Sequence, residues 1–387
     1  GGVYAGGGKL TMNNFEISEN YAQSGGGICV AEAEVTVNNG GKISENSALN
    51  IGNVDNSDNF VMGVGGGISI SGGTVTLNGS AINNNFAAHM GGGIYARGGA
   101  VTQPGVDDKN NKSDTLRMGG NHATNYGGAI AIPIGGGSVT LSNFIIGGIK
   151  FDTEINEKGV NDNILYAKSG SVNGRSVSGF DENQIEDIKS ALSEDRAQWA
   201  NYATFGGAVY VAGGIFKVAE KSSGDTSIVQ GFGANTQIEG KYAGQFTVGA
   251  GNIASSGGAL FVAGGEEVTL NGGNFVNNYA VGKVNDGNQG NKELKDFVDK
   301  NLYEVKAGEE DKGKNLIDYW GGGAICQVKG TLTLNGADIQ NNETNGFGGA
   351  VLTFSNRWVS ELNSGSNSEA NSESNNSSTI FLKFTIK

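Results

Sequence analysis

The chain has 387 residues, with 39 acidic against 26 basic side chains and a formal charge of −13. That balance argues against a nucleic-acid partner, whose affinity comes from basic groups on phosphate, and against electrostatic docking on anionic lipid. Glycine occurs 68 times and proline twice, with no Gly-X-Y period, which excludes collagen and Pro/Gly-rich disorder and leaves a stacked repeat array.

From the first residue the chain reads as a repeat of three elements. The first is a run of small residues followed by a branched apolar one, as in Gly1-Gly2-Val3 and Gly26-Gly27-Ile28. The second is a strand of period two, Val35-Thr36-Val37, whose alternation turns the valines inward and the threonine outward. The third is an apolar residue followed three positions later by asparagine, as in Ile17/Asn20 and Ile43/Asn46. Asn50–Gly63 then reads as an inserted loop, with Asp55 and Asp58 as solvated carboxylates because the spacing and glycine of a calcium loop are missing.

The array resumes with Gly66-Gly67-Ile68, Val75-Thr76-Leu77, Ile82/Asn85 and Gly92-Gly93-Ile94. A second insertion spans Pro104–Gly119, where Asp107, Asp108 and Asp114 again read as solvated. Gly127-Gly128-Ala129-Ile130 and Val139-Thr140-Leu141 continue the pattern up to a long insertion, Lys150–Thr204. Within it Ile185, Ile188, Leu192 and Trp199 keep helical spacing, which predicts an amphipathic helix over Asp181–Tyr202. Gly206-Gly207-Ala208-Val209 follows, then the insertion Ser222–Gly240, then Gly257-Gly258-Ala259-Leu260, Val268-Thr269-Leu270 and Phe275/Asn278. Leu294, Phe297, Val298, Leu302 and Val305 predict a second helix over Asn291–Val305, inside the insertion Val281–Tyr319. The last units are Gly322-Gly323-Ala324-Ile325, Leu332-Thr333-Leu334, Ile339/Asn342 and Gly348-Gly349-Ala350-Val351. Ser360–Ser378 reads as a disordered linker and Thr379–Lys387 as a terminal strand.

The closest repeats, Val3 to Ile28, Ile68 to Ile94 and Ile325 to Val351, lie about 25 residues apart. Three short strands per unit at ~3.3 Å per residue make one coil of a three-sided solenoid, and nine coils stacked at ~4.8 Å give roughly 40 Å. The expected fold is all-β: a right-handed, single-stranded parallel β-helix with inserted loops and short helices. The repeat domain covers residues 1–354, with insertions at about 150–204 and 281–319, and residues 355–387 form the Ser/Asn-rich segment and terminal strand. In such a stack equivalent residues lie above one another. Ile28, Ile68, Ile94, Ile130, Val209, Leu260 and Ile325 then make one internal column, and Asn20, Asn46, Asn85, Asn278 and Asn342 a ladder of shared amide bonds. No apolar run reaches the length of a membrane span, and because Gly1-Gly2-Val3-Tyr4 already belongs to a repeat, the chain reads as a piece of something longer.

Catalysis, metal binding and cofactor binding find no constellation. His89 and His122 lie near glycine corners without a partner nucleophile and read as surface or corner residues. Cys29 and Cys326 occupy one slot of the repeat, roughly 30 Å apart by coil count, too far for a disulfide. Sequons occur at Asn78, Asn111, Asn342, Asn375 and Asn376, at a frequency this composition produces by chance. If Ile28 and Val30 face the core, the slot between them faces outward; it holds Tyr4, Tyr95, Tyr210 and Phe261. That column is the candidate contact surface for a glycan or protein ligand, with lateral packing on the sheet as the competing account.

The combination of Gly-Gly-Ala-[Ile/Leu/Val], at Gly127–Ile130, Gly206–Val209, Gly257–Leu260, Gly322–Ile325 and Gly348–Val351, with Phe275–Asn278 resembles the passenger repeat of polymorphic outer membrane proteins and autotransporter adhesins. The resemblance implies a β-helical passenger at the cell surface, extracellular and outer-membrane-associated, used in adhesion. The membrane barrel of that family has no counterpart in these residues, so another attachment route stays open. The expectation is a non-enzymatic adhesin that binds a protein or glycan. The alternatives are a filament or sheath subunit, self-associating through the ends or faces of the solenoid, and, behind it, a polysaccharide lyase or hydrolase.

Overall fold

In the computed structural model the described residues are 1–38, 40–51, 63–104, 115–147, 170–172, 175–178, 200–219, 230–233, 252–276, 278–280, 321–340, 342–344, 348–353 and 381–382. Among them the regular structure is all strand, stacked in parallel sheets that make a β-helix. The first ladder runs from Val3–Ala5 through Ile28–Val30, Ile68–Ile70, Ile94–Ala96, Ile130–Ile132, Val209–Val211, Leu260–Val262 and Ile325–Gln327 to Val351–Thr353. Its register sets Ile28 against Ile68, Ile68 against Ile94, Ile94 against Ile130, Ile130 against Val209, Val209 against Leu260 and Leu260 against Ile325. The expected internal column is therefore present, and each of these residues is fully buried.

The second ladder carries the Val-Thr-Val strands. Lys9–Met12, Glu34–Val37, Thr74–Leu77, Ala100–Thr102, Ser138–Leu141, Ile215–Val218, Glu267–Asn271 and Leu332–Asn335 pair in sequence. Phe381–Leu382 adds to its last strand, so a piece of the expected terminal strand belongs to the solenoid. Val35, Val75, Val101 and Val139 point into the core, with the threonines on the opposite face, as alternation requires. The third ladder holds Lys42–Ser44, Ala81–Asn83, Leu116–Met118, Phe144–Ile146 and Asn274–Val276, among others.

A fourth ladder corrects the three-sided picture. Tyr21–Ala22, Ser47–Ala48, Phe86–Ala87, His122–Ala123, Tyr202–Phe205, Ile253–Ser256, Tyr279–Ala280 and Glu343–Thr344 stack in parallel beyond the asparagine corner. Most of these strands are two residues long, too short for period-two alternation to show. Their inward slot is alanine in coil after coil, and Ala48, Ala87, Ala123 and Ala203 form a buried cluster of their own. A side chain this small lets the coil close tightly between the asparagine ladder and the glycine corner.

The glycine corner has a specific cause. Gly206 takes φ +65°, a left-handed conformation that costs other L-residues energy, and a Cβ on Gly207 would overlap the carbonyl oxygens of Gly258 and Ile253. The same pair of demands recurs in neighbouring coils, which is why the Gly-Gly phrase repeats.

Three expected loop boundaries change. Leu116–Met118 is a third-ladder strand inside the expected loop Pro104–Gly119, Gln230–Gly233 lies inside Ser222–Gly240, and Tyr202–Phe205 takes the end of Lys150–Thr204. Tyr202 opens that strand, so the helix expected over Asp181–Tyr202 does not extend to its last residue; its earlier part, the helix Asn291–Val305 and the linker Ser360–Ser378 lie outside the described residues. From the long insertion, Gly170–Val172 and Arg175–Ser178 form an antiparallel pair, and Arg175–Ser178 also pairs with Asn50–Ile51.

Candidate functional site

The slot between the two inward residues of the first ladder was the candidate contact surface. It runs Tyr4, Cys29, Ser69, Tyr95, Ala131, Tyr210, Phe261, Cys326, Leu352 in register. Tyr4, in the first coil, is 73% exposed, but Tyr95 is 4%, Tyr210 2% and Phe261 2% exposed. The expectation of a solvent-facing column is thus corrected for all but Tyr4. The residues that cover it come from the segment just before each glycine corner. Ser24, Val64, Met90, Tyr126 and Phe205 form their own bridged column, which lies over the slot. Tyr126 stands 4.6 Å from Tyr210 between ring centroids, Phe205 5.0 Å from Phe261, and Tyr210 stacks on Phe261 at 5.9 Å. The aromatic slot is a second core outside the coil, and lateral packing accounts for it.

The cysteines share this slot, as expected, and both are free thiols. Burial pushes the Cys326 thiol up to about 12, and Cys29, half-buried, is also raised by burial. Neither is poised as a nucleophile, because the thiolate is the reactive form. The expected surface or corner placement is corrected for His122. It sits in the fourth ladder at 5% exposure, above Phe86 and below Tyr202, and its Nε2 has no hydrogen-bond partner. His89 is half-buried at the turn before a glycine corner, with Nδ1 2.8 Å from Asn125 Nδ2. Burial lowers both imidazoles to about 4, so both are neutral at physiological pH.

The asparagine ladder is longer than the repeat pattern indicated. Asn20, Asn46, Asn85, Asn278 and Asn342 are joined by Asn121, which Met118 precedes in the same apolar-x-x-Asn pattern, and by Asn201 and Asn252, which that pattern missed. In each coil the side-chain Nδ2 donates to Oδ1 of the next asparagine, at 2.8–3.1 Å. The same Oδ1 accepts the preceding coil's backbone N–H, as from Asn46 to Asn85 at 3.0 Å, and Nδ2 also donates back to a carbonyl such as that of Ile43. A sharp corner would otherwise leave those backbone groups unpaired. The signal that would have found the missing members is Asn-x-Ala, present at Asn121-His122-Ala123, Asn201-Tyr202-Ala203 and Asn252-Ile253-Ala254. Two sequons are taken up by the fold: Asn342 sits in this ladder, and Asn78 donates to Asn38 while Ser80 is buried.

The outer face of the second ladder has a different character. Thr11, Thr36, Thr76, Thr102, Thr140, Lys217, Thr269 and Thr333 stand in one column, exposed at Thr11 and half-exposed beyond it. Lys9–Glu34 at 2.8 Å and Lys217–Glu267 at 2.7 Å bridge neighbouring strands on that face. The side-chain hydrogen bond from Lys217 holds the Glu267 carboxyl below its ordinary range. Both pairs are open to solvent and add little to stability.

Insertions leave the coil at each of its four corners. Residues 52–62 and 281–320 depart between the fourth and first ladders, 105–114 and 220–229 between the second and third, and 148–199 and 234–251 just before the asparagine corner. The turn between the first and second ladders is short in eight coils, at 6–8, 31–33, 71–73, 97–99, 133–137, 212–214, 263–266 and 328–331, and long in the last, where 354–380 separate Val351–Thr353 from Phe381–Leu382. Glycine corners and asparagine bonds hold the coil closed around each excursion, so its length is free to vary. Among the described residues no group of three or more His, Cys, Asp or Glu is placed to hold a metal ion; the aspartates of the two early insertions lie outside them, Asp114 included.

Comparison with protein families, with curated proteins and with solved structures returns no match. The fold itself defines the class: a parallel β-helical repeat protein, with ladders of asparagine and alanine at one corner and of glycine at the next.

Proposed function

We propose that this chain is a surface-exposed interaction protein of adhesin type, in which a rigid β-helix displays inserted segments to a protein or glycan ligand. The observation that carries the reading is the distribution of insertions. Seven excursions, 52–62, 105–114, 148–199, 220–229, 234–251, 281–320 and 354–380, leave a continuous coil whose ladders stay in register across them. Loops that vary on a fixed scaffold are where binding residues concentrate, and a solenoid presents several of them along one axis for extended, multivalent contact. The sequence resemblance to autotransporter passengers supports the same role and an extracellular setting. Burial of the aromatic slot moves the proposed contact away from Tyr95, Tyr210 and Phe261 and onto the insertions.

The test is binding of the intact chain to cells, extracellular matrix and glycan surfaces, with and without residues 150–199 or 281–319, which spares Asn201 and the strand Tyr202–Phe205. Loss of binding on deletion, with the circular dichroism of the β-helix retained, is the expected result. Binding that survives both deletions overturns the assignment to those two insertions. Turnover of acidic or neutral polysaccharides, abolished by neutralising carboxylates, would replace the reading with an enzyme; regular self-association in solution would replace it with a filament subunit.

A further inference from the structure

One sheet breaks the parallel, neighbour-to-neighbour rule of the solenoid. Arg175–Ser178 pairs antiparallel with Gly170–Val172 on one side and with Asn50–Ile51 on the other, Val177 opposite Ile51 and Ser178 opposite Asn50. Asn50–Ile51 follows the fourth-ladder strand Ser47–Ala48, whereas Arg175–Ser178 belongs to the insertion that leaves after Phe144–Ile146 and returns before Tyr202–Phe205. Those two roots lie three steps apart in the fourth ladder, from Ser47 through Phe86 and His122 to Tyr202, about 15 Å at ~4.8 Å per step. The outward slot of that ladder changes along the same span. Tyr21, one coil before it, is 49% exposed, while Ser47, Phe86 and His122 are 5%, 1% and 5% exposed. A face that alternation turns outward is closed over the coils that this antiparallel pairing bridges.

The attachment itself is slight. It is two residue pairs long. Residues 148–169 and 179–199 tie the paired strands to the coil, and at ~3.3 Å per residue each run reaches several times the distance required. A slack tether gives a low effective concentration at the docking edge, and two pairs offset little of the entropy of closing so long a loop.

We infer that Arg175–Ser178 is a detachable strap on Asn50–Ile51, whose release uncovers Phe86 and His122 while the coil stays intact. The coil does not depend on the strap, because the inner asparagine ladder and the parallel strands hold these coils together through bonds of their own. Docking and release exchange two states of one outer face, closed and open. His122 reports which state is present: its ring lies in the closed slot, and its Nε2 makes no hydrogen bond that release would have to break.

The experiment uses the full chain and diethyl pyrocarbonate, which acylates neutral imidazole, with His89 and His122 followed separately by peptide mass at neutral pH. Ile51→Cys/Val177→Cys should oxidise to a disulfide in the folded chain and slow modification of His122 relative to the same variant reduced. Val177→Pro removes a strand N–H from the middle of the three-stranded sheet and should speed it at least about tenfold, the factor for one lost hydrogen bond, with the circular dichroism of the β-helix retained. His89, half-buried at its glycine corner, should change little in any form. Failure of the cysteine pair to oxidise, or one rate for His122 in the locked, parent and proline forms, would overturn the inference. So would equal acceleration of His89 and His122 by Val177→Pro, which marks general loosening of the coil.

Discussion

Truncating one asparagine in the middle of the inner ladder tests the account of why the coil closes. In Asn85→Ala the lost Oδ1 was the acceptor for two donors of Asn46, its backbone N–H at 3.0 Å and its Nδ2 at 3.1 Å. Asn46 is fully buried and Asn85 1% exposed, so water does not readily replace the acceptor. Two unpaired buried donors at about 1–3 kcal/mol each make a cost of about 2–6 kcal/mol. Asn20, half-buried in the first coil, is a donor to Asn46 and Ser18, and its loss strands no donor in the ladder; Asn20→Ala should cost only about 1 kcal/mol. Asn85→Asp sharpens the test. One carboxylate oxygen still accepts from Asn46, but the other replaces Nδ2 and faces two acceptors, the Ile43 carbonyl at 2.9 Å and Asn121 Oδ1 at 3.1 Å. Only the protonated acid donates there, so its folded pKa must lie above the unfolded value of about 3.9. The sign follows: the variant's stability is fully present below the unfolded pKa and is lost as pH rises through the folded one. Repeat arrays need not unfold in two states, so the assay pairs denaturant midpoints with amide exchange at Asn46. Asn85→Asp as stable as the parent at pH 7, or Asn20→Ala as costly as Asn85→Ala, would refute the reasoning.

Ile94 is fully buried between Ile68 and Ile130 in adjacent coils, and Ile94→Ala should cost about 2–5 kcal/mol by denaturant unfolding; less than 1 kcal/mol would mean that the stack has slack. Gln103 takes an inward slot that Val37, Leu77 and Leu141 fill in neighbouring coils, yet its Oε1 accepts the backbone N–H groups of Ser142 and Asn143. Gln103→Leu, which restores the apolar pattern, should therefore destabilise by about 1–3 kcal/mol, two stranded donors outweighing the apolar gain. For His122 the folded pKa of about 4 lies below the ordinary 6.5, so stability is full above pH 6.5 and falls as pH drops toward 4, by about 3 kcal/mol. His122→Phe, matching Phe86 in the same column, should flatten that slope in pH-dependent melting. An unchanged slope would show that the loss comes from elsewhere.

How far the fold was legible depends on how local its causes are. Ile28, Ile68, Ile94 and Ile130 announced one column because stacking makes the same demand on each coil. The asparagines announced themselves only where Ile or Phe preceded them by three. Met118 takes the apolar place before Asn121, but Asn201 and Asn252 emerge from long insertions, so there the pattern broke where the bonding did not. The fourth ladder escaped notice because two-residue strands carry no period; its alanines were visible only once the corner was in hand.

The amino-acid order by itself determined the stacked parallel coil, the inward aliphatic column, the outward threonines and the glycine corners, since each follows from alternation, side-chain volume or a φ that only glycine adopts cheaply. The tertiary structure alone decided the fate of the slot holding Tyr95, Tyr210 and Phe261. Alternation says that this slot leaves the coil interior, and it does. Whether it then meets water depends on Val64, Met90, Tyr126 and Phe205, which reach it by folding over the corner from the previous turn. Burial is a property of what lies across a surface, and neighbours that meet only through coil closure leave no trace in local spacing.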